Sequence, residues 1–144
     1  MTTLEDQHHT MQAHVPALLH GDDTAAHEAL SAILVGADNP QTFSWTMAQL
    51  VSIAAVDMRT YYAEKLASTP NGFIAFEQVG GEVDPAQAAA MRIVVAYANN
   101  ETADAATLIR ALIDNGDLIW AARVAIHTAQ ITRQAHAHAC GGHR

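Results

Sequence analysis

Apolar residues along the chain recur mostly at steps of three and four, the spacing of one face of an α-helix. The longest such run is Phe43, Met47, Leu50, Ala54, Met58 and Tyr61. It predicts a helix from about Thr42 to Ala67. Trp45, Val51 and Val56 extend the apolar surface and leave a narrow polar side of Thr46, Gln49, Asp57, Thr60 and Glu64. A helix apolar over so much of its circumference is expected at the centre of a fold, packed on more than one side.

Caps and breakers delimit the other elements. Thr3, followed by Glu5, Asp6 and Gln7, predicts a first helix to about Ala13. Pro16 predicts a break in it, before a short turn ended by Gly21. A second helix is expected from Ala25 to Val35, with Leu30, Ile33 and Leu34 as its apolar stripe and Gly36 as the residue just beyond its end. Asp38-Asn39-Pro40 reads as a loop. Phe73 to Val79, set between Ser68–Gly72 and Gly80–Gly81, predicts a helical turn or irregular cover, because no second strand signal could pair with it. Asp84 as N-cap and Pro85 as first residue open a fourth helix that runs to about Ala98. A fifth is expected from Ala103 to Ile113, and a sixth from Leu118 to Ala139 with Gly141-Gly142 as its stop.

The expected fold is therefore all-α: one domain, residues 1–144, built as a compact bundle of about five to six helices. Residues 1–20 form an N-terminal helical arm in this reading, and residues 135–144 a mobile tail carrying His and Cys. Residues 22–34 and 100–112 also resemble each other. Each is a short helix with an acidic cap, followed by a loop and a longer helix that opens near a Trp (Trp45, Trp120). A duplicated short-helix/long-helix pair would bury its faces by stacking, as helical repeats do. The pattern resembles tetratricopeptide-type repeats, but their regular period and signature positions are missing and no family follows from it.

Composition narrows the classes of function. Half of the residues are apolar, yet 30 are Ala, 6% are aromatic and one is Lys. This is too hydrophobic for a disordered chain. A single cysteine, Cys140, excludes a disulfide scaffold. Seven Lys and Arg against 15 Asp and Glu give a net charge of −8, which argues against direct nucleic-acid binding. No uninterrupted apolar run is long enough for a membrane span. The N-terminus lacks a basic and apolar leader, and one free thiol suits a reducing compartment, so a cytoplasmic location is expected.

The densest candidate chemistry lies near the C-terminus. His136 and Cys140 are four residues apart, on one helix face, and Gly141-Gly142 could return His143 to them. Imidazole and thiolate suit zinc or another late transition metal, so these three are the candidate metal ligands; apart from zinc at this site, no cofactor is expected. Glu5 and His8 have the Glu-x-x-His spacing of di-iron bundles, but no second such motif exists. Gly-x-Ser-x-Gly and phosphate-loop motifs are absent.

Without convergent catalytic groups, the expected function is a non-enzymatic protein-binding or adaptor domain, homo-oligomeric, with a metal-binding protein as the alternative. A second alternative is a small-ligand bundle lined by Trp45, Tyr61, Tyr62, Phe73 and Phe76. The expected interface comprises Phe43, Trp45, Met47, Tyr61, Trp120 and His127, with Asp57, Glu64, Arg123 and Arg133 at its rim or in solvent. His127 lies on an apolar stripe, where a hydrogen-bonded core histidine competes with an interface role.

Overall fold

The chain was analysed as a computed structural model that describes residues 1–61 and 84–141, with Tyr61 and Gly141 in backbone only. Six helices and no strand occur among the described residues. They are α1 (Leu4–His20), α2 (Asp23–Gly36), α3 (Pro40–Tyr61), α4 (Pro85–Ala98), α5 (Thr102–Asp114) and α6 (Leu118–Gly141). The expected continuation of α3 to Ala67, the Phe73–Val79 segment and Glu64 lie outside the described residues. No described helix is long and apolar enough to cross a membrane.

Local chemistry sets most of the helix starts. The Thr3 hydroxyl accepts the Asp6 amide at 3.1 Å, and Asp22 accepts the Ala25 amide at 2.8 Å. Asp84 caps α4 by accepting the Ala86 amide at 2.8 Å, with Pro85 in the first turn where its missing N–H costs nothing. Asp117 does the same for α6 through the Trp120 amide. At α3 the Asn39 carboxamide accepts the Thr42 amide, and the Thr42 hydroxyl accepts the Asn39 amide. This reciprocal pair starts the helix two residues earlier than the periodicity predicts. Beyond the end of α4, Asn100 stands at φ 64°, and the Asn100 and Glu101 amides donate to the Tyr97 and Ala96 carbonyls. Asn tolerates that left-handed position, and the two bonds serve carbonyls the helix end would otherwise leave unpaired.

Two sequence expectations fail at α1 and α2. Helix α1 passes through Pro16 without ending. Pro16 and Gln12 are both exposed. Water can therefore serve the Gln12 carbonyl that Pro16 cannot bond, while Met11 and Leu18 stay buried on the other side. Gly36 is the last residue of α2, not a left-handed stop beyond it. Its lack of a side chain serves packing instead: a Cβ there would lie 1.9 Å from Gln7 Oε1.

Gln7 explains that approach. It is fully buried, and its amide nitrogen donates to Ile33 O at 3.0 Å and to Thr46 Oγ1 at 2.9 Å. The Ala37 amide turns to Leu34 O in a tighter bond, which leaves Ile33 O to Gln7. Gln7 thus satisfies an orphan carbonyl at the end of α2 from a different helix. Its Oε1 has no conventional donor, and Gly36 brings its backbone against it.

Helices α3 and α6 form the central pair. One apolar cluster lies between this pair and α4 and α5, with Met47, Val51, Ile93, Val94, Ile109 and Val124 in it. A second lies between the pair and α1 and α2, around Met11, Leu18, Ile33 and Leu50. Helix α3 is apolar nearly all round because both clusters use it. Thr128 and Thr132 of α6 are fully buried; the Thr132 hydroxyl proton lies between Thr128 O at 2.8 Å and Leu50 O of α3 at 3.0 Å. Each short helix, α2 or α5, packs chiefly on the helix before it rather than on the long helix after it. The long helix α3 packs chiefly on α6 and α4 instead.

Candidate functional site

Two arrangements stand out among the described residues once the core is accounted for. The first is an apolar groove of about 370 Å³. It is walled by the end of α2 (Leu34, Ala37), the start of α3 (Pro40, Phe43), the end of α5 (Leu112, Ile113) and the start of α6 (Leu118, Ala121, Ala122). Trp120 takes the core-facing position in the first turn of α6. Leu118 and Ile119 therefore point outward, 83% and 76% exposed. Asp38 lines the groove, and Asp114 and Asp117 adjoin its lining residues Ile113 and Leu118. The amide and hydroxyl of Thr2 hydrogen-bond Asp38, and the Thr2 amide foremost holds its carboxyl below the ordinary range. Asp38 is thus charged at neutral pH. A neighbouring cleft, sharing Pro40 and Ile113, contains Leu4, Trp45, Arg110 and Asp114.

Of the six expected interface residues, Phe43 lines this groove and Trp45 the neighbouring cleft, where its ring meets His8 edge-on. Met47 is 1% exposed and belongs to the core. It packs in the cluster that α3 shares with α4, α5 and α6. Trp120 is half-buried on the main cluster. His127 Nε2 stands 3.6 Å from Asp84 Oδ2, beside an Arg123–Asp84 ion pair at 2.9 Å. The Tyr61 side chain, with Tyr62, Phe73 and Phe76, lies outside the described residues.

Asp84 links α4 to α6, and its titration is predictable. The Ala86 amide first, then Arg123, holds its carboxyl below the ordinary value of 3.8. A depressed folded value stabilises the fold above the unfolded value and is lost as pH falls through the folded one. Asp84→Asn is expected to remove part of the stability gained between strongly acid solution and about pH 4. Urea midpoints for both proteins across that range test it. An unchanged difference between the two at all pH values would reject the assignment.

The second arrangement joins α3 to the end of α6. Residues 135–141, expected to be a mobile tail, are helical here, with Ala135 and Ala139 buried. His136 Nδ1 lies 2.9 Å from Asp57 Oδ2, and His136 Nε2 lies 3.4 Å from Cys140 Sγ. The His20 ring meets the His136 ring edge-on, centroids 4.7 Å apart. Asp57 was expected at a rim, but its side chain is 17% exposed because His136 covers it. Arg133, expected there too, donates to Leu18 O at 2.7 Å and Gly21 O at 2.8 Å instead.

Of the three candidate metal ligands, the structure brings His136 and Cys140 together, and His143 lies outside the described residues. Asp57 and Cys140 occupy opposite nitrogens of one imidazole, so the three side chains do not point at a common centre. Among the described residues no group of three His, Cys, Asp or Glu side chains is placed to hold a metal ion. Sequence spacing suggested the His136–Cys140 pair but missed Asp57, 79 residues away, because only the packing of α3 on α6 joins them. Compared with protein-family models, curated proteins and solved structures, the chain matches none.

Proposed function

We propose that the protein is a non-enzymatic binding module whose groove between the ends of α2, α3, α5 and α6 accepts an apolar segment of another protein. The observation that carries this is the exposure of Leu118 and Ile119 beside an apolar recess. Such patches on a small domain mark interaction sites. The occupant that fits is an amphipathic helix with one or two aliphatic anchors and Lys or Arg flanks. Asp38 lines the recess, Asp114 and Asp117 are next in sequence to its lining residues Ile113 and Leu118, and the chain carries a net charge of −8. Opposite charge at the rim raises the association rate and fixes register. A reducing cytoplasm is the setting this reading assumes.

Selection from a random peptide display library tests it. Enriched peptides are expected to pair aliphatic residues at helical spacing with basic flanks. They should lose at least about tenfold in affinity for Leu118→Asp, as truncation of a central anchor does. Peptides that bind Leu118→Asp undiminished would reject the groove as the site.

A second reading, self-association, is favoured by one feature: the projecting Leu118 and Ile119 adjoin the recess, so the patch is self-complementary under a two-fold axis. The same three carboxylates would then face their own copies, which opposes it at low salt. Sedimentation equilibrium at micromolar concentration separates the readings. A dimer that Leu118→Asp dissolves would make a second copy the occupant.

A further inference from the structure

Asp57, His136 and Cys140 stand in the order carboxylate, imidazole, thiol. They come from two helices, and the first two are mostly buried, at 17% and 18% side-chain exposure. Asp57 Oδ2 can only accept when ionised, so the hydrogen bond at 2.9 Å places the ring proton on Nδ1. A neutral ring then keeps its lone pair on Nε2, which faces Cys140 Sγ at 3.4 Å. His20, packed edge-on against the ring, helps to hold that orientation. Cys140 itself is exposed. This is the arrangement of a nucleophile, its base and the group that orients the base.

We propose that Cys140 is a modification site that exchanges with small disulfides, with His136 as its proton acceptor and Asp57 as a positioning residue. The thiol proton passes to His136 Nε2, and the sulfur electron pair attacks one sulfur of the small disulfide. The Cys140–sulfur bond forms as the disulfide bond breaks, and the departing thiolate recovers the proton from Nε2. Cys140 is oxidised to a mixed disulfide while the small disulfide is reduced. Asp57 faces the positive charge that the ring holds between the two proton transfers. Cys140 is the only cysteine in the chain, so no second thiol of its own resolves the product. It persists until an external thiol removes it.

The position of the site selects this chemistry over acyl transfer. Cys140 lies at the carboxyl end of α6, where a helix presents unpaired carbonyls rather than amides. Among the described residues a tetrahedral oxyanion would meet helix-end carbonyls rather than amides, whereas sulfur–sulfur exchange develops no oxyanion. The same helix end disfavours an isolated thiolate, so reactivity depends on His136.

The test is the rate of reaction with dithiodipyridine, read from the thione released, with mass spectrometry to place the adduct. The folded protein is expected to react at least ~10-fold faster than the same chain unfolded in urea, a small share of what a positioned base supplies. His136→Gln should abolish that advantage. Asp57→Asn should reduce it several-fold with circular dichroism unchanged, and Cys140→Ser should release no thione. If His136→Gln fails to fold, Asp57→Asn carries the test. A folded protein no faster than the unfolded chain would overturn the proposal, as would a well-folded His136→Gln or Asp57→Asn that keeps the full rate.

Discussion

Gly36→Ala is expected to destabilise the protein by about 2–3 kcal/mol, the sum of overpacking and broken buried hydrogen bonds. Helix propensity alone predicts the opposite, a gain of about 1 kcal/mol at a helical position. Tertiary contact decides the sign. The new Cβ would fall 1.9 Å from Gln7 Oε1. Oε1 ends a flexible side chain, but Gln7 is fully buried and has no solvent to move into. Any shift also breaks its bonds to Ile33 O and Thr46 Oγ1. The melting temperature should fall by on the order of 10 °C. A double-mutant cycle supplies the decisive control. In a Gln7→Ala background the space is open, and the cost of Gly36→Ala should shrink by more than about 1 kcal/mol. Additive effects would show that Gln7 does not carry the penalty.

Arg133→Ala should cost about 2–3 kcal/mol, as expected for charge-assisted bonds to carbonyls that otherwise lack partners. Its guanidinium holds Leu18 O and Gly21 O at the end of α1 from the far part of α6, and also compensates the negative end of that helix. Asp23, 3.5 Å away and fully exposed, adds little. Arg133→Lys should recover less than half of the loss, because one ammonium cannot span two carbonyls as a planar fork does. Chemical denaturation gives the magnitude. Native-state hydrogen exchange gives the location: the last turn of α1 should open first. An Arg133→Ala protein within about 0.5 kcal/mol of the parent, the range of ordinary surface changes, would reject the clamp.

These two residues also mark the limit of what sequence makes legible. The all-helical fold and the starts of α4 and α6 are readable because Asp84 and Asp117 act on amides two or three positions away, with Pro85 already shaped for a first helical turn. The centrality of α3 is readable because burial on two sides leaves a continuous apolar circumference. Pro16 misleads because its consequence is settled by distant groups: burial of Met11 and Leu18 and the Arg133 clamp hold α1 beyond the proline. Gln7 reads as a polar first-turn residue, and nothing local reveals that it completes another helix. The candidate sites divide in the same way. The His136–Cys140 pair follows from a spacing of four, whereas Asp57 joins it through tertiary packing. Phe43, expected in an interface, lines the groove, but Leu118 and Ile119 open a helix in sequence with nothing local to mark them as exposed.

The small side chains of the core have a thermal consequence. Ala54, Ala55, Ala86, Ala90, Ala98, Ala125 and Ala129 are all buried. Alanine has no side-chain rotamers to lose, so ordering these positions carries only the backbone part of the conformational entropy. Each also removes less apolar area from water than Leu or Phe would, and apolar area sets the heat-capacity change of unfolding. The protein thus combines a low entropic cost of ordering its interior with a small heat-capacity increment. Its free energy of unfolding accordingly varies with temperature along a broad, shallow arc, flatter than that of a Leu- and Phe-packed domain of equal length.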